Sequence, residues 1–172
     1  WDGTSLAPAL RDGADAGRDH LVLTQGAWTC QRGVRTGDHL YLRTWHDGYH
    51  AWPDEMLFDV AADPHQTVDL AEDPAHADTL VAARSTLADW TDDQLARSGL
   101  ADPLATVVGE GGPYHTRGHL PAYLDRLRAT GRGHWADALA ARHPSEADPD
   151  RWAEHRAGHR DLLAALMAGH AR

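Results

Sequence analysis

The residues able to do chemistry are plentiful in this chain, but few stand at the spacings that chemistry requires. Thirteen histidines invite a metal reading, and His155 and His159, four apart on a predicted helix, could face one ion together. The pair is not part of an H-E-x-x-H pattern and has no obvious third ligand. It also falls on the stripe Trp152, Leu162, Leu166, so packing at the edge of an apolar face competes with ligation. Asp59, Asp63 and Asp69 form an acidic series, yet they miss the D-x-[DN]-x-[DN]-G order of a calcium loop, and Pro64 interrupts them. Asp59 and Asp63 suit a different task, accepting backbone amides in a turn. Gly109-Glu110-Gly111-Gly112 is glycine-rich, but it lacks the strand before and the helix after that a phosphate cradle needs, and Glu110 would repel a phosphate. No G-x-S-x-G nucleophile elbow occurs. The single cysteine, Cys30, excludes an intrachain disulfide and reads as a small buried hydrophobe on a strand.

The composition narrows the classes further. At 172 residues, 42% hydrophobic and 24% charged, the chain can build one ordinary core or two small ones. Its formal net charge is −10, and every basic residue is Arg, with no Lys, which reads as the codon bias of a GC-rich genome. Arg forks onto oxyanions, but here Arg is interleaved with more numerous Asp and Glu. A nucleic-acid face needs net positive charge and is not expected. No apolar run approaches the ~20 residues of a membrane span, so a soluble domain without a membrane partner is expected.

The elements that must position any site follow from periodicity. Leu6, Ala9 and Leu10 behind Thr4 or Ser5 predict a short helix within Trp1 to Asp12. His20 to Gln25 is an apolar run suited to a buried strand, and Trp28 to Arg35 is a second extended segment. Gly37-Asp38 predicts a tight hairpin that sets Val34 against Tyr41 and Arg35 against Leu40. Leu40 and Leu42 then point one way and Tyr41, Arg43 and Trp45 the other. His46 to Pro53 is a loop, and Glu55 to Val60 a further strand. Asp73-Pro74 opens a long helix to about Ser98, its apolar face marked by Leu80, Ala83, Leu87, Trp90 and Leu95. The expected fold class is α+β: a small antiparallel sheet of about four strands packed against a long helix. Beyond Gly99, residues 100–117 read as a linker or arm. A helical extension, 118–172, follows, with helices over His119 to Thr130 (Leu120, Tyr123, Leu124, Leu127), His134 to Arg142 (Trp135, Leu139) and Asp150 to Ala168.

Glu55-Met56-Leu57-Phe58-Asp59-Val60-Ala61-Ala62-Asp63-Pro64-His65-Gln66-Thr67-Val68-Asp69-Leu70 resembles a signature near the carboxyl end of sulfatases, roughly E-L-Y-D-L-x-x-D-P-x-E-x-x-N-L. Arg32 to Arg43 is similar to the hairpin that precedes it there, R-x-V-R-T-x-x-Y-K-Y-I, and Trp1 to Leu10 to a W-D-G-x-S-L-x-P-x-L segment. The resemblance covers about the first half of the chain, so residues 1–99 read as a sulfatase-like carboxyl-terminal subdomain. Gln66 stands where Glu is usual and Asp69 where Asn is usual. Sulfatases use a cysteine or serine in C/S-x-P-x-R, matured to formylglycine, and no such motif is present; Cys30 is followed by Arg32 and Val34 where Pro and Arg would stand.

The resemblance therefore implies a carboxyl-terminal fragment of a sulfuric ester hydrolase, inactive by itself. The formylglycine and calcium site would lie in an upstream catalytic domain, which would be the chain's first partner. No catalytic residue, metal ligand or cofactor is expected on these residues. The implied role is to complete the fold and shape the rim of the pocket for a sulfated small molecule or sugar. Gln25, Trp28 and Thr29 in the bend before the hairpin are the rim candidates, with His46, His50 and Trp52 in the next loop. Trp can stack on a sugar ring, and His can contact a sulfate or hydroxyl. Simple interdomain packing is the competing reading for each. Two other functions stay open: a phosphonate or phosphate ester hydrolase of the same superfamily, and a free-standing interaction module that forms an oligomer through its Trp- and His-rich tail helices.

Overall fold

The computed structural model describes residues 5–13, 17–148 and 150. Its elements are α1 (Ala7–Asp12), β1 (Leu21–Gln25), β2 (Cys30–Thr36), β3 (His39–His46), β4 (Glu55–Asp59), a 3-10 turn (Pro74–His76), α2 (Ala77–Ser98), α3 (Pro103–Gly109), α4 (Leu120–Ala129) and α5 (Gly133–Arg142). The strands form one sheet in the order β1-β2-β3-β4. Their connections are too short for crossovers, so neighbours run antiparallel. The α+β class expected from the sequence is the one the chain adopts. Apart from Asp150, the helix expected over Asp150 to Ala168, with His155 and His159, lies outside the described residues, as do Trp1 to Thr4.

Two compact units divide the chain. The first comprises Trp1–Leu23, Arg32–Leu42 and Glu55–Gln94. Gly37 takes φ 56°, the left-handed value that a primed hairpin turn needs at its first central residue. Val34, Tyr41 and Leu57 are buried together with Ala83 and Leu87 of α2, and Val22, Leu70, Ala71 and Leu80 close around them. Each fully buried aliphatic side chain here contributes about 1.5–3 kcal/mol. Asp73 accepts from the Ala75 amide at 2.9 Å, and Pro74 opens the first turn. The start signal read at Asp73-Pro74 thus works by side-chain capping. Tyr41 Oη donates to Glu55 Oε1 at 2.6 Å, and Arg84 grips both Glu55 oxygens at 2.8 and 2.7 Å. Burial and the hydrogen bond to the Glu55 carboxylate push the Tyr41 phenol up to about 12.

The three acids of the 55–70 signature each hold backbone. Asp59 Oδ1 accepts from the Ala61 and Ala62 amides, and Asp63 Oδ2 from those of Thr67 and Val68. Asp69 Oδ1 accepts from Leu57 N at 2.9 Å and Ala71 N at 3.0 Å, while the Leu70 amide donates to the Leu57 carbonyl. The turn-holding role expected of Asp59 and Asp63 is what they perform. Strand β1 differs from expectation. Leu21 and Leu23 are exposed and only Val22 reaches the core, because β1 is an edge strand with one packed face.

The second unit comprises Thr24–Gln31, Arg43–Asp54 and Leu95–Arg172. The segment expected as an irregular linker contains α3. Asp102 Oδ1 accepts from the Leu104 amide, Pro103 occupies the first turn and Leu104 is buried. A helix of seven residues is too short to show apolar periodicity, although its Asp-Pro start repeats that of the long helix. Helices α4 and α5 pack through Leu120, Leu124, Leu127, Ala136 and Leu139, with Tyr49 against them. Trp135, expected on this face, is 51% exposed, and Ala136 takes its place one helical turn before Leu139 and Ala140.

Candidate functional site

The second unit buries a set of polar groups around the end of β3. Thr29 Oγ1 donates to Gln31 Oε1 at 2.9 Å, and Gln31 Nε2 donates to Thr44 Oγ1 at 3.0 Å, all three side chains being buried. Two residues on, His46 ends the strand and the chain turns through Asp47, Gly48 and Tyr49. Gly48 takes φ 62°, and a Cβ there would collide with the Trp28 carbonyl oxygen, so only glycine fits. Its amide donates to His46 Nδ1 at 3.1 Å.

Asp47 organises the turn. Its side chain is fully buried, and Oδ1 accepts from the Tyr49 amide at 2.8 Å and from His143 Nε2 at 2.9 Å. Oδ2 lies 3.1 Å from Arg142 Nε, an ion-pair contact rather than an aligned hydrogen bond. Burial works to raise the Asp47 pKa; the hydrogen bonds from His143 and Tyr49 and the charges of His143 and Arg142 outweigh it, holding the carboxyl below its ordinary value. Arg142 also donates to the Trp52 carbonyl at 2.6 Å and to Asp54 Oδ1 at 2.9 Å, which ties the end of α5 to the loop after β3.

His46 lies between His143, at a ring-centroid distance of 4.9 Å, and Tyr49, at 5.6 Å. Its ring is also covered by Gly112, where an added Cβ would collide with Nε2 and Cδ2. Burial first, then the neighbouring His143, lowers the His46 pKa, and the Asp47 and Glu146 carboxylates oppose this only in part. Since Nδ1 accepts from Gly48, the neutral ring carries its proton on Nε2, and that atom has no hydrogen-bond partner among the described residues. His46, Asp47, Arg142, His143 and Glu146 help line a cavity of about 500 Å³. One ligand atom from each of His46, His143 and Glu146 lies within 4.8 Å of the others.

No family model matches the chain, and no curated protein matches it. Among solved structures it is similar to a "putative sulfatase" from Bacteroides thetaiotaomicron VPI-5482, with 27% identity and a TM-score of 0.45 over 59% of this chain and 23% of that one. It is also similar to the "putative sulfatase yidJ" from Bacteroides fragilis, with 21% identity and a TM-score of 0.39 over 59% of this chain and 20% of that one. The chain thus spans about a quarter or less of the length of these proteins.

All six residues singled out as rim candidates fall in the second unit. Trp28 is 64% exposed, its ring 5.1 Å from that of His115, whose Nδ1 lies 3.3 Å from the Ala27 carbonyl oxygen. His50 and Trp52 stack at 5.0 Å on the surface. Gln25 is exposed and accepts from the Ala27 amide through Oε1. Thr29 is buried with its hydroxyl spent on Gln31, and His46 is buried in the cavity wall. The structure therefore brings His46 together with Asp47, Arg142, His143 and Glu146, none of which the sequence marked. Asp47 and His143 stand 96 positions apart, and no local pattern links them.

Proposed function

We propose that this chain is the carboxyl-terminal subdomain of a sulfatase-type hydrolase acting on sulfate esters, and that it completes the fold and shapes one side of the substrate entrance. The observation that carries the reading is the structure of the 55–70 signature. Its acids are the residues that close the strand, turn and return segment, with Asp69 bridging back to Leu57 and Asp63 holding the Thr67 and Val68 amides. Those are the positions at which the resemblance to sulfatases stands. Asp69, where Asn is usual, acts through one accepting oxygen, which Asn also supplies.

The groups that would carry out the chemistry do not fit these residues. Asp59, Asp63 and Asp69 are committed to backbone amides, so they make no calcium cage. Cys30 is fully buried, and burial raises its thiol pKa, the reverse of what a nucleophile needs. In this reading the formylglycine and calcium belong to the upstream domain, and Trp28, His50 and Trp52 offer exposed rings for a sulfated sugar or small molecule. The exposed Leu21 and Leu23 on edge strand β1 suit burial by that domain.

The test is to read the coding sequence upstream of Trp1, express the complete product and assay 4-nitrophenyl sulfate beside the monoester 4-nitrophenyl phenylphosphonate. The expected result is an in-frame C-x-P-x-R or S-x-P-x-R, sulfate turnover that disappears when its Cys or Ser becomes Ala, and no turnover by the 172-residue chain alone. Absence of the motif, or turnover of the phosphonate only, would overturn it.

A further inference from the structure

We propose that His46, His143 and Glu146 form a binding site for a divalent transition-metal cation of the Zn2+ class. The proposal is independent of the hydrolase reading, because all of its residues lie in the second unit and none belongs to the 55–70 signature. The three side chains present ligand atoms within 4.8 Å of one another at the wall of a polar cavity. Two imidazoles and one carboxylate suit a borderline cation with an open position for water or a ligand, and they do not suit calcium, which takes oxygen ligands.

Two observations point to a ligand beyond the clustering itself. First, His143 is oriented as a metal-bound histidine is: Nε2 is held by the buried Asp47 carboxylate at 2.9 Å, which leaves Nδ1 as the free lone pair. Asp47 is fixed in turn by the Tyr49 amide and by Arg142, so the ring orientation is set before any ion arrives. Second, His46 is only 5% exposed and its Nε2 is buried without a partner among the described residues. Buried polar atoms are rarely left so, and each such case calls for an explanation. A cation bound at Nε2 supplies one. Coordination there requires the ring proton to move to Nδ1 and the Gly48 contact to open, a cost of one backbone hydrogen bond set against a new metal bond. Glu146 is half-buried, and Ser145 Oγ donates to its Oε2 at 3.0 Å, which leaves Oε1 to complete the set.

The experiment uses the 172-residue chain stripped with EDTA and titrated with Co2+, then Zn2+. The expected result is a visible Co2+ absorption band that saturates at one equivalent, is bleached by Zn2+ and is not produced by Ca2+. Glu146→Gln removes a charged ligand at a half-exposed position, and binding should weaken roughly tenfold or more with the far-UV circular dichroism unchanged. His143→Gln should abolish the band. Because that variant also takes one hydrogen bond from the buried Asp47 carboxylate and could unfold the unit, the Glu146→Gln result stands as the deciding one. A double His155→Gln and His159→Gln variant should keep the band. Absence of a band, or a band untouched by Glu146→Gln, or one lost only in the double variant, would overturn the site.

Discussion

The two units differ in how far along the chain their acids reach for partners. In the first, the acids that hold backbone reach no further than the 55–71 segment: Asp59 to Ala61 and Ala62, Asp63 to Thr67 and Val68, Asp69 to Ala71 and back across the turn to Leu57. In the second, a fully buried carboxylate at Asp47 is held from nearly a hundred positions away by a hydrogen bond from His143 and the charge of Arg142. Local pairing survives any rearrangement that keeps the segment intact. Remote pairing exists only in the folded unit, so it ties stability, protonation and ligand binding together at one place.

That contrast can be broken from its strongest side. Asp47→Ala should remove about 3–5 kcal/mol, since it leaves the buried His143 without its carboxylate, strands the Tyr49 amide and takes one of Arg142's contacts. Denaturant unfolding gives the total, and amide hydrogen exchange should place the lost protection in α4, α5 and the turn after β3. Loss confined to the sheet residues of the first unit would contradict the comparison.

The first unit relies instead on its apolar core. Leu57→Ala, at a fully buried position against Val34, Tyr41 and Leu87, should cost about 3 kcal/mol. Exchange protection should then fall in β4 and α2. A smaller loss, about 1–2 kcal/mol, is expected for Asp69→Ala, which strands the Leu57 and Ala71 amides, and Asp69→Asn should restore most of it because Asn keeps the accepting oxygen. Failure of Asn to rescue would show that the charge, not the acceptor, matters at this position.

Acidity should separate the units with the gentlest perturbation. His46 has a folded pKa below its ordinary 6.5, so the neutral ring's contribution is fully present above pH 6.5 and is lost as pH falls through the lowered value. Asp47, also lowered, adds a second loss below 3.8. Thermal unfolding between pH 7.5 and 5 should therefore weaken the protection of the second unit first, and His46→Gln should flatten that dependence. An unchanged slope in the variant would assign the acid sensitivity elsewhere.

Much of the first unit was legible because its determinants are local. The Gly37-Asp38 turn, the Asp73-Pro74 helix start, the 3.6 spacing of Ala83 and Leu87 and the turn acids of the signature each act over a few residues, and each is found as expected. Helix α3 was missed because seven residues carry no readable period, although Asp102-Pro103 repeats the start signal seen earlier. On α5 position outweighs hydrophobic size: Trp135 points outward and the inward place belongs to Ala136.

The candidate site was legible at one residue only. His46 stood out by type and by its loop, but its partners His143, Arg142 and Glu146 are joined to it solely by the packing of α5 and the following turn beside the end of β3. The more conspicuous pair by spacing was His155 and His159. By itself the sequence determined where the strands and the long helix α2 begin and that Asp59 and Asp63 hold the turn after β4, since those depend on side chains reaching neighbouring backbone. Only the tertiary structure decided which of the chain's histidines share a buried carboxylate and a cavity. That depends on contacts between segments nearly a hundred residues apart, for which no local spacing can stand.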